Sequence, residues 1–511
     1  MASDPMRRRY DVLVVGGGPA GAVTAWALAR RGLRVAVFER AQFPREKVCG
    51  DFVEPRGLRL LEAMGCLRTL EAASPLPITH VAIFLQARCA YRGRIPFYGE
   101  TAGLPPHGYI IPRRELDTIL LDAARRAGAA VYDACTAKRV ARDGRDMRVT
   151  VGRGPRDAHV RGHVVVGADG THSMVAQCAG LRHDDRRYMA VSQRAYVEGV
   201  AVERGEAAFF FDRDLFPGYG WMFPMSDGRA NIGVGILAET QTRYGISVPA
   251  LFRSFVEKLR LAHPGCAGIR LAGRPLGGIV KTYGGSGSNC FDGGVLVGDA
   301  GCFVDPMTGE GITPAAESAL IAAPVVAAAV ERGRSDLPFL SQYERDFRAY
   351  FDPAMRYLDL CAAVMRNRFM RDFWLSAVAR GCRMAAEDPA LARVAGAGFG
   401  GMDVRPLSIL SHLWSALVGD LGAAAAGMFG VGGGVPLSRA VQPGAHWAGA
   451  AVSWSDGWWQ SLLDDPWWHT AWAADTLYKW TQVMGTLAAD RDPRAQGPLA
   501  SPASGGRFAS T

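Results

Sequence analysis

Asp11-Val12-Leu13-Val14-Val15-Gly16 shows no alternation of apolar and polar positions, and such a run predicts a strand buried on both faces. A glycine-rich turn follows, and Val23 to Arg31 then predicts a helix stopped by Gly32. Arg34-Val35-Ala36-Val37-Phe38-Glu39 predicts a second buried strand. The same pattern returns at Val164-Val165-Val166-Gly167 and at Gly294-Val295-Leu296-Val297-Gly298. Between about 188 and 290 the period changes. Phe209-Phe210-Phe211, Trp221-Met222-Phe223 and Ile232-Gly233-Val234-Gly235-Ile236 predict antiparallel strands, as in a separate covering sheet. Residues 40–75 read as mostly helical around Leu58 to Met64, and residues 81–112 as short strands. Arg113 to Ala127 has leucines at helical spacing, and an alanine-rich helix is expected over 313–332. Residues 338–395 read as helical, and the Pro-, Ser-, Gly- and Arg-rich segment from 488 predicts a disordered tail.

Composition narrows the class. Hydrophobic residues make up 49% and charged residues 21% of the 511, which excludes a fibrous or largely disordered chain. A mean hydropathy of +0.03 excludes a polytopic membrane protein. No uninterrupted apolar run of about 18 residues is present. The nearest, Leu421 to Leu437, is broken by six glycines and a proline. The net charge is +9, yet the arginines are scattered and form no long basic run. Nucleic-acid binding would want a clustered stripe, so none is expected, whereas attraction to an anionic membrane remains open. Ten cysteines include no C-x-x-C pair, and no cleavable apolar leader precedes the first strand. A cytoplasmic protein with reduced thiols is expected. No metal ligand set is predicted.

The chemistry begins at the first turn. Gly16-x-Gly18-x-x-Gly21 closes a predicted strand and opens a helix, with Pro19 and Ala20 at its start, and Glu39 ends the next strand. In that context it is a strong dinucleotide signal. The glycines let the backbone approach a pyrophosphate at the helix N-terminus, and Glu39, with Arg40 beside it, would meet the adenosine ribose.

Gly298-Asp299-Ala300-Gly301 and the following Asp305-Pro306-Met307-Thr308-Gly309-Glu310-Gly311-Ile312 resemble the second fingerprint of FAD proteins of the p-hydroxybenzoate-hydroxylase-like superfamily. The resemblance implies that Asp299 binds the ribityl chain. It also implies that Pro306, Gly309, Gly311 and Ile312 set a helix N-terminus beside the flavin N1/C2=O edge, where its dipole favours an anionic reduced ring. Asp169-Gly170 with Ser173 resembles the third motif of that superfamily, departing from it at Ala176, and Arg113 matches its arginine that reaches the FAD ribityl or pyrophosphate.

Two further segments indicate the subfamily. Arg45-Glu46-Lys47-Val48-Cys49-Gly50-Asp51 resembles the R-x-K-x-C-G motif of geranylgeranyl reductases, although Asp51 stands where more glycine is common. Pro217-Gly218-Tyr219-Gly220-Trp221-Met222-Phe223-Pro224 resembles that family's Y-x-W-x-F-P motif. Arg45 and Gly50 are then expected beside the cofactor. Cys49, Lys47, Tyr219 and Trp221 are the catalytic candidates. Tyr219 and Trp221 alternate on one strand and so share a face.

The expected fold is α/β (α+β). A Rossmann-like FAD-binding domain (8–187 and 291–335) holds an inserted antiparallel substrate sheet (188–290). A helical, Trp-rich C-terminal region (336–487) and a tail (488–511) follow, and eight of the twelve tryptophans fall between Trp447 and Trp480. The expected function is FAD-dependent reduction of carbon–carbon double bonds in a prenyl lipid or another apolar small molecule. NADPH or another reductant, acting directly or through an external reductase, would supply electrons. Peripheral contact with the inner face of the membrane is part of this reading. The alternative is a flavin monooxygenase, a hydroxylase or epoxidase before a halogenase, acting through a C4a-peroxyflavin on a specialised metabolite.

Overall fold

The computed structural model describes residues 9–73, 75–95, 104–153, 156–201, 205–389, 391–393, 395 and 462–489. Its first sheet has eight strands, and its spine runs Cys290–Phe291, Gly294–Leu296, Arg156–Gly167, Tyr10–Val15, Val35–Phe38, Ala130–Tyr132. Tyr10–Val15 pairs in parallel with both Arg156–Gly167 and Val35–Phe38. Val12, Leu13 and Val14 are fully buried, as the uninterrupted apolar run requires. Arg156–Gly167 is longer than the apolar run around Val164. Its N-terminal half turns back on Asp146–Arg153 and Thr136–Asp143 as an antiparallel extension, a meander whose alternating polar positions hid it in the sequence.

Helix Pro19–Ala29 starts earlier than its apolar run suggests, because Pro19 sits at the first helical position where its missing N–H costs nothing. It packs against Arg113–Arg126 and Ile312–Glu331. Ile312–Glu331 is long and apolar enough to cross a membrane, but 83% of its apolar window is buried inside the protein. The expectation that Leu421 to Leu437 comes nearest to a span is corrected on this point, and that segment lies outside the described residues. The helix expected over 40–75 is confined to Pro55–Ala63 and Leu67–Glu71, while 40–54 is mostly irregular.

The second sheet also has eight strands. Six of them, Met189–Glu198, Ala230–Leu237, Tyr219–Pro224, Glu206–Phe211, Arg270–Leu271 and Leu276–Lys281, come from the expected segment. At its edge, however, it takes in His80–Leu85, paired in parallel with Glu206–Phe211, and then Arg88–Arg94. Residues 80–94 thus leave the 8–187 segment and join the substrate sheet, a long-range pairing with no local signature. Helix Val248–Ala262 covers one face of this sheet, with Phe255 against Phe210. Phe209, Trp221 and Phe223 face the other way.

Within 336–487 the structure describes helices Leu337–Met365, Arg371–Glu387 and Pro466–Ala489. Trp447, Trp454, Trp458 and Trp459 lie outside the described residues; of the tail expected over 488–511, residues 488 and 489 end the last helix and the rest lies outside the described residues.

Candidate active site

A cavity of about 700 Å³ opens between the two sheets. Every cofactor and catalytic candidate named from the sequence lines it except Gly21, which sits behind the turn. A Cβ on Gly21 would lie 1.9 Å from the Gly16 carbonyl oxygen, and one on Gly16 would lie 2.2 Å from the Ala168 carbonyl oxygen. At Gly18 the nearest atom is an Arg45 nitrogen at 3.3 Å, so here the turn is open to the cavity. A backbone cradle closed behind and open in front fits a pyrophosphate.

Glu39 is buried, and its two carboxylate oxygens accept the N–H groups of Gly17 and Ala41, each at 2.8 Å. A carboxylate has about four acceptor sites, so ribose hydroxyls can still be bound. Arg40 is exposed at the rim. Arg45 pairs with Asp117 at 3.1 Å and lies 4.0 Å from Glu39. The Arg113 fork is engaged by Asp117 through two bonds, at 2.7 and 2.9 Å. Its Nε and Nη2 are therefore spent within the protein, and the role toward FAD implied by the resemblance rests on what remains of the guanidinium.

On the far side, Asp299 accepts from Thr171 Oγ1 at 3.2 Å and pairs with Lys47 Nζ at 3.4 Å. Asp169 accepts from Ser173 Oγ, Met174 N and Val175 N, and so tethers the start of helix Met174–Cys178. Three donors on one carboxylate give Asp169 a structural duty alongside its place in the wall. The turn at Pro306 is held by Asp305 Oδ1, which accepts from Met307 N at 2.7 Å and Thr308 N at 3.0 Å. The Tyr219 hydroxyl donates to the Thr308 carbonyl.

The aromatic strand forms the apolar end. Tyr219, Trp221 and Phe223 alternate toward the cavity, with Trp221 and Phe223 centroids 6.4 Å apart. Gly233 makes room for this wall, since a Cβ there would stand 2.2 Å from the Trp221 ring. The Trp221 indole N–H donates to Asn231 Oδ1 at 3.0 Å. The Asn231 amide in turn donates to the Cys49 carbonyl at 2.9 Å and to Asp51 Oδ2 at 2.8 Å. Burial pushes the Cys49 thiol up, against the opposing charge of Arg113.

Two features escaped the sequence reading. Asp51 is fully buried and takes a left-handed backbone with φ 66°. Burial raises its carboxyl to about 6, against the Tyr196 hydroxyl and the Arg194 charge. Second, Glu54, Asp305, Glu310 and Glu317 gather around Arg56 where the helix Ile312–Glu331 begins. Burial, with Asp305 and Glu317 adding to it, raises Glu54 to about 7 although Arg56 opposes the shift. The only signals for either feature were Asp51 in place of glycine and Glu310 within its turn.

The FAD binding domain family matches residues 9–209, and the geranylgeranyl reductase catalytic domain matches residues 189–264. Digeranylgeranylglycerophospholipid reductase 2 of Methanopyrus kandleri is 32% identical over 360 residues, which span 68% of this chain and 84% of that protein. Menaquinone reductase of Mycolicibacterium smegmatis is 32% identical over 330 residues, 62% of this chain and 76% of that one. A geranylgeranyl bacteriochlorophyll reductase-like protein from Thermoplasma acidophilum shares the fold with a TM-score of 0.62 at 24% identity, covering 73% of this chain and 92% of that one. A flavin-dependent halogenase shares it equally, with a TM-score of 0.62 at 22% identity over 74% and 72% of the two chains. Fold and site define an FAD-dependent oxidoreductase. Within that class the chain belongs to the geranylgeranyl reductase family.

Proposed function

We propose that the protein reduces carbon–carbon double bonds in the prenyl chain of a membrane lipid or a similar apolar molecule, at the cytoplasmic face of the membrane. The observation that carries this reading is the shared cavity: the Tyr219–Pro224 aromatic strand walls the same space as Cys49 and both dinucleotide fingerprints. The names of the prenyl phospholipid and menaquinone reductases among its relatives support it. Bound FAD, re-reduced by NADPH or another donor directly or through an external reductase, would supply hydride. The chain's own residues then have defined tasks. Gly16 to Gly21 and Glu39 would hold the adenosine half, and Asp299, held by Lys47 and Thr171, the ribityl chain. Tyr219, Trp221 and Phe223 would hold the prenyl chain and exclude water. An isolated alkene offers no carbonyl for charge, so orientation must supply much of the rate.

Helix Pro466–Ala489 supports the membrane part. Its charged residues face the protein: Lys479 pairs with Asp359, and Asp475 with Arg366. Its outer face presents Trp467, Leu477, Tyr478, Trp480 and Met484, with Trp467 86% exposed. That outer face carries no charge; Thr470 and Thr481 are exposed on it among the apolar side chains, and its two indoles match the interfacial layer of a bilayer.

The test is anaerobic. Chemically reduced, FAD-loaded protein is mixed with a digeranylgeranylglycerophospholipid in detergent micelles, or with menaquinone, and flavin absorbance is followed. Reoxidation coupled to a saturated product supports the reading. Turnover that needs oxygen and yields a hydroxylated or epoxidised product replaces it with the monooxygenase reading.

A further inference from the structure

We propose that Asp51 is the proton donor of this site, the group that protonates the alkene carbon which does not receive hydride. This rests on the reductase reading above. Asp51 lines the cavity beside Cys49 and Trp221. Its two oxygens are treated unequally. Oδ2 accepts from the Tyr196 hydroxyl at 2.6 Å and from Asn231 Nδ2 at 2.8 Å, whereas Oδ1 is buried with no hydrogen-bond partner among the described residues. A buried carboxylate oxygen without a donor carries the full cost of its lost hydration. A proton on Oδ1 removes that cost, and Asp51 belongs to the cavity wall. The backbone agrees: at φ 66° most side chains are strained, and Asp is among the residues that tolerate it.

The step balances. One new C–H bond, with both electrons, comes from the hydride. The other forms from the alkene π pair and the Asp51 proton, while the O–H pair stays on the carboxylate. Tyr196 and Asn231 are in place to hold that carboxylate, and water restores the proton afterwards. The charged and titratable groups facing Asp51 are Arg194, whose guanidinium lies 4.3 Å from the Tyr196 ring centroid, Arg113, Tyr196 itself and the Cys49 thiol, whose Sγ accepts the Asp51 N–H at 3.3 Å. Burial exceeds the pull of both arginines and leaves the carboxyl titrating at about 6.

Asp51→Asn is the test, because Asn tolerates the same backbone and matches the protonated acid in shape. The probes are the two lipids used above, in single turnover of reduced protein. D51N is expected to bind FAD with an unchanged spectrum and melting temperature, and to lose about 10²-fold or more in rate. Wild-type rates should fall as pH rises above about 6, and D51N should lack that limb. Tyr196→Phe removes one donor to the carboxylate and should move the limb to higher pH, which a purely structural role would not do. Infrared spectra of substrate-free, FAD-loaded wild type minus those of D51N should show one protonated carboxyl band titrating at about 6, the Glu54 carboxyl being common to both and cancelling. A D51N rate within threefold of wild type, a limb that D51N retains, or the absence of any carboxyl band from the wild-type-minus-D51N difference overturns the proposal alone. Wild-type protein that reoxidises with neither probe overturns the reductase reading and this proposal with it.

Discussion

Lys47 Nζ lies 3.4 Å from Asp299 Oδ2, although 252 residues separate them in sequence. The contact joins the Cys49 loop to the strand end expected to meet the ribityl chain, so the reductase-specific motif and the general FAD motif share one ion pair. Asp299→Ala should therefore weaken FAD binding by about 1–3 kcal/mol, through loss of an acceptor for a ribityl hydroxyl. Flavin titration of the apoprotein checks it, and an unchanged affinity would place the ribityl chain elsewhere.

The glycine turn makes a paired prediction. Gly18→Val points into the cavity past Arg45, so it should abolish FAD binding while circular dichroism stays native. Gly21→Ala should instead destabilise the apoprotein, since its Cβ would lie 1.9 Å from the Gly16 carbonyl oxygen. Equal melting temperatures for G21A and wild-type apoprotein would contradict the turn as described.

Cys49→Ala should lower turnover more than FAD affinity. The thiol borders the cavity, while its backbone, anchored by Asn231, remains in place. A native rate would leave Cys49 as packing only.

Glu54 allows a prediction in pH. Its carboxyl titrates at about 7 in the folded chain, above the ordinary glutamate value of 4.5. A raised acid is worth most when protonated: its contribution is complete below the unfolded value and is lost as pH rises through the folded one. Glu54→Gln mimics the protonated form. The variant should melt close to wild type at pH 4.5 and above it at pH 8. A difference independent of pH would show that Glu54 is ionised throughout.

The membrane reading is tested on the outer face of helix Pro466–Ala489. Trp467→Glu with Leu477→Glu should reduce sedimentation with anionic liposomes at low salt and leave the FAD spectrum intact. Deleting the helix would test less, because Asp359 and Arg366 would lose Lys479 and Asp475, their partners beneath it. Liposome binding unchanged by the double substitution would exclude this face as the contact.

What the sequence made legible was local. Gly16 to Gly21, Glu39 and Asp299 stand in short motifs whose spacing follows from turn and helix geometry, and all but Gly17 and Gly21 line one cavity. The Tyr219/Trp221 alternation likewise reports a shared face directly. Asp51 could not be read this way, since its partners Tyr196 and Asn231 lie 145 and 180 residues downstream. The strands at 80–94 were legible as strands, but not the sheet they join, for the same reason: pairing with Glu206–Phe211 is a property of the whole fold. The Trp467-Trp468 doublet looked unassignable because its members do different work. Trp468 stacks near Trp472 under Arg243, and Trp467 faces outward.

Helix Ile312–Glu331 has a consequence for topology. Threaded through a bilayer, it would put everything before residue 312 on one side and everything after 331 on the other. Yet the Tyr343 hydroxyl beyond it donates to the carbonyl of Leu296 before it, at 3.0 Å. Reporters inserted in surface turns on either side of this helix, in intact cells, must therefore show the same sidedness. A hydropathy plot would forecast opposite sides.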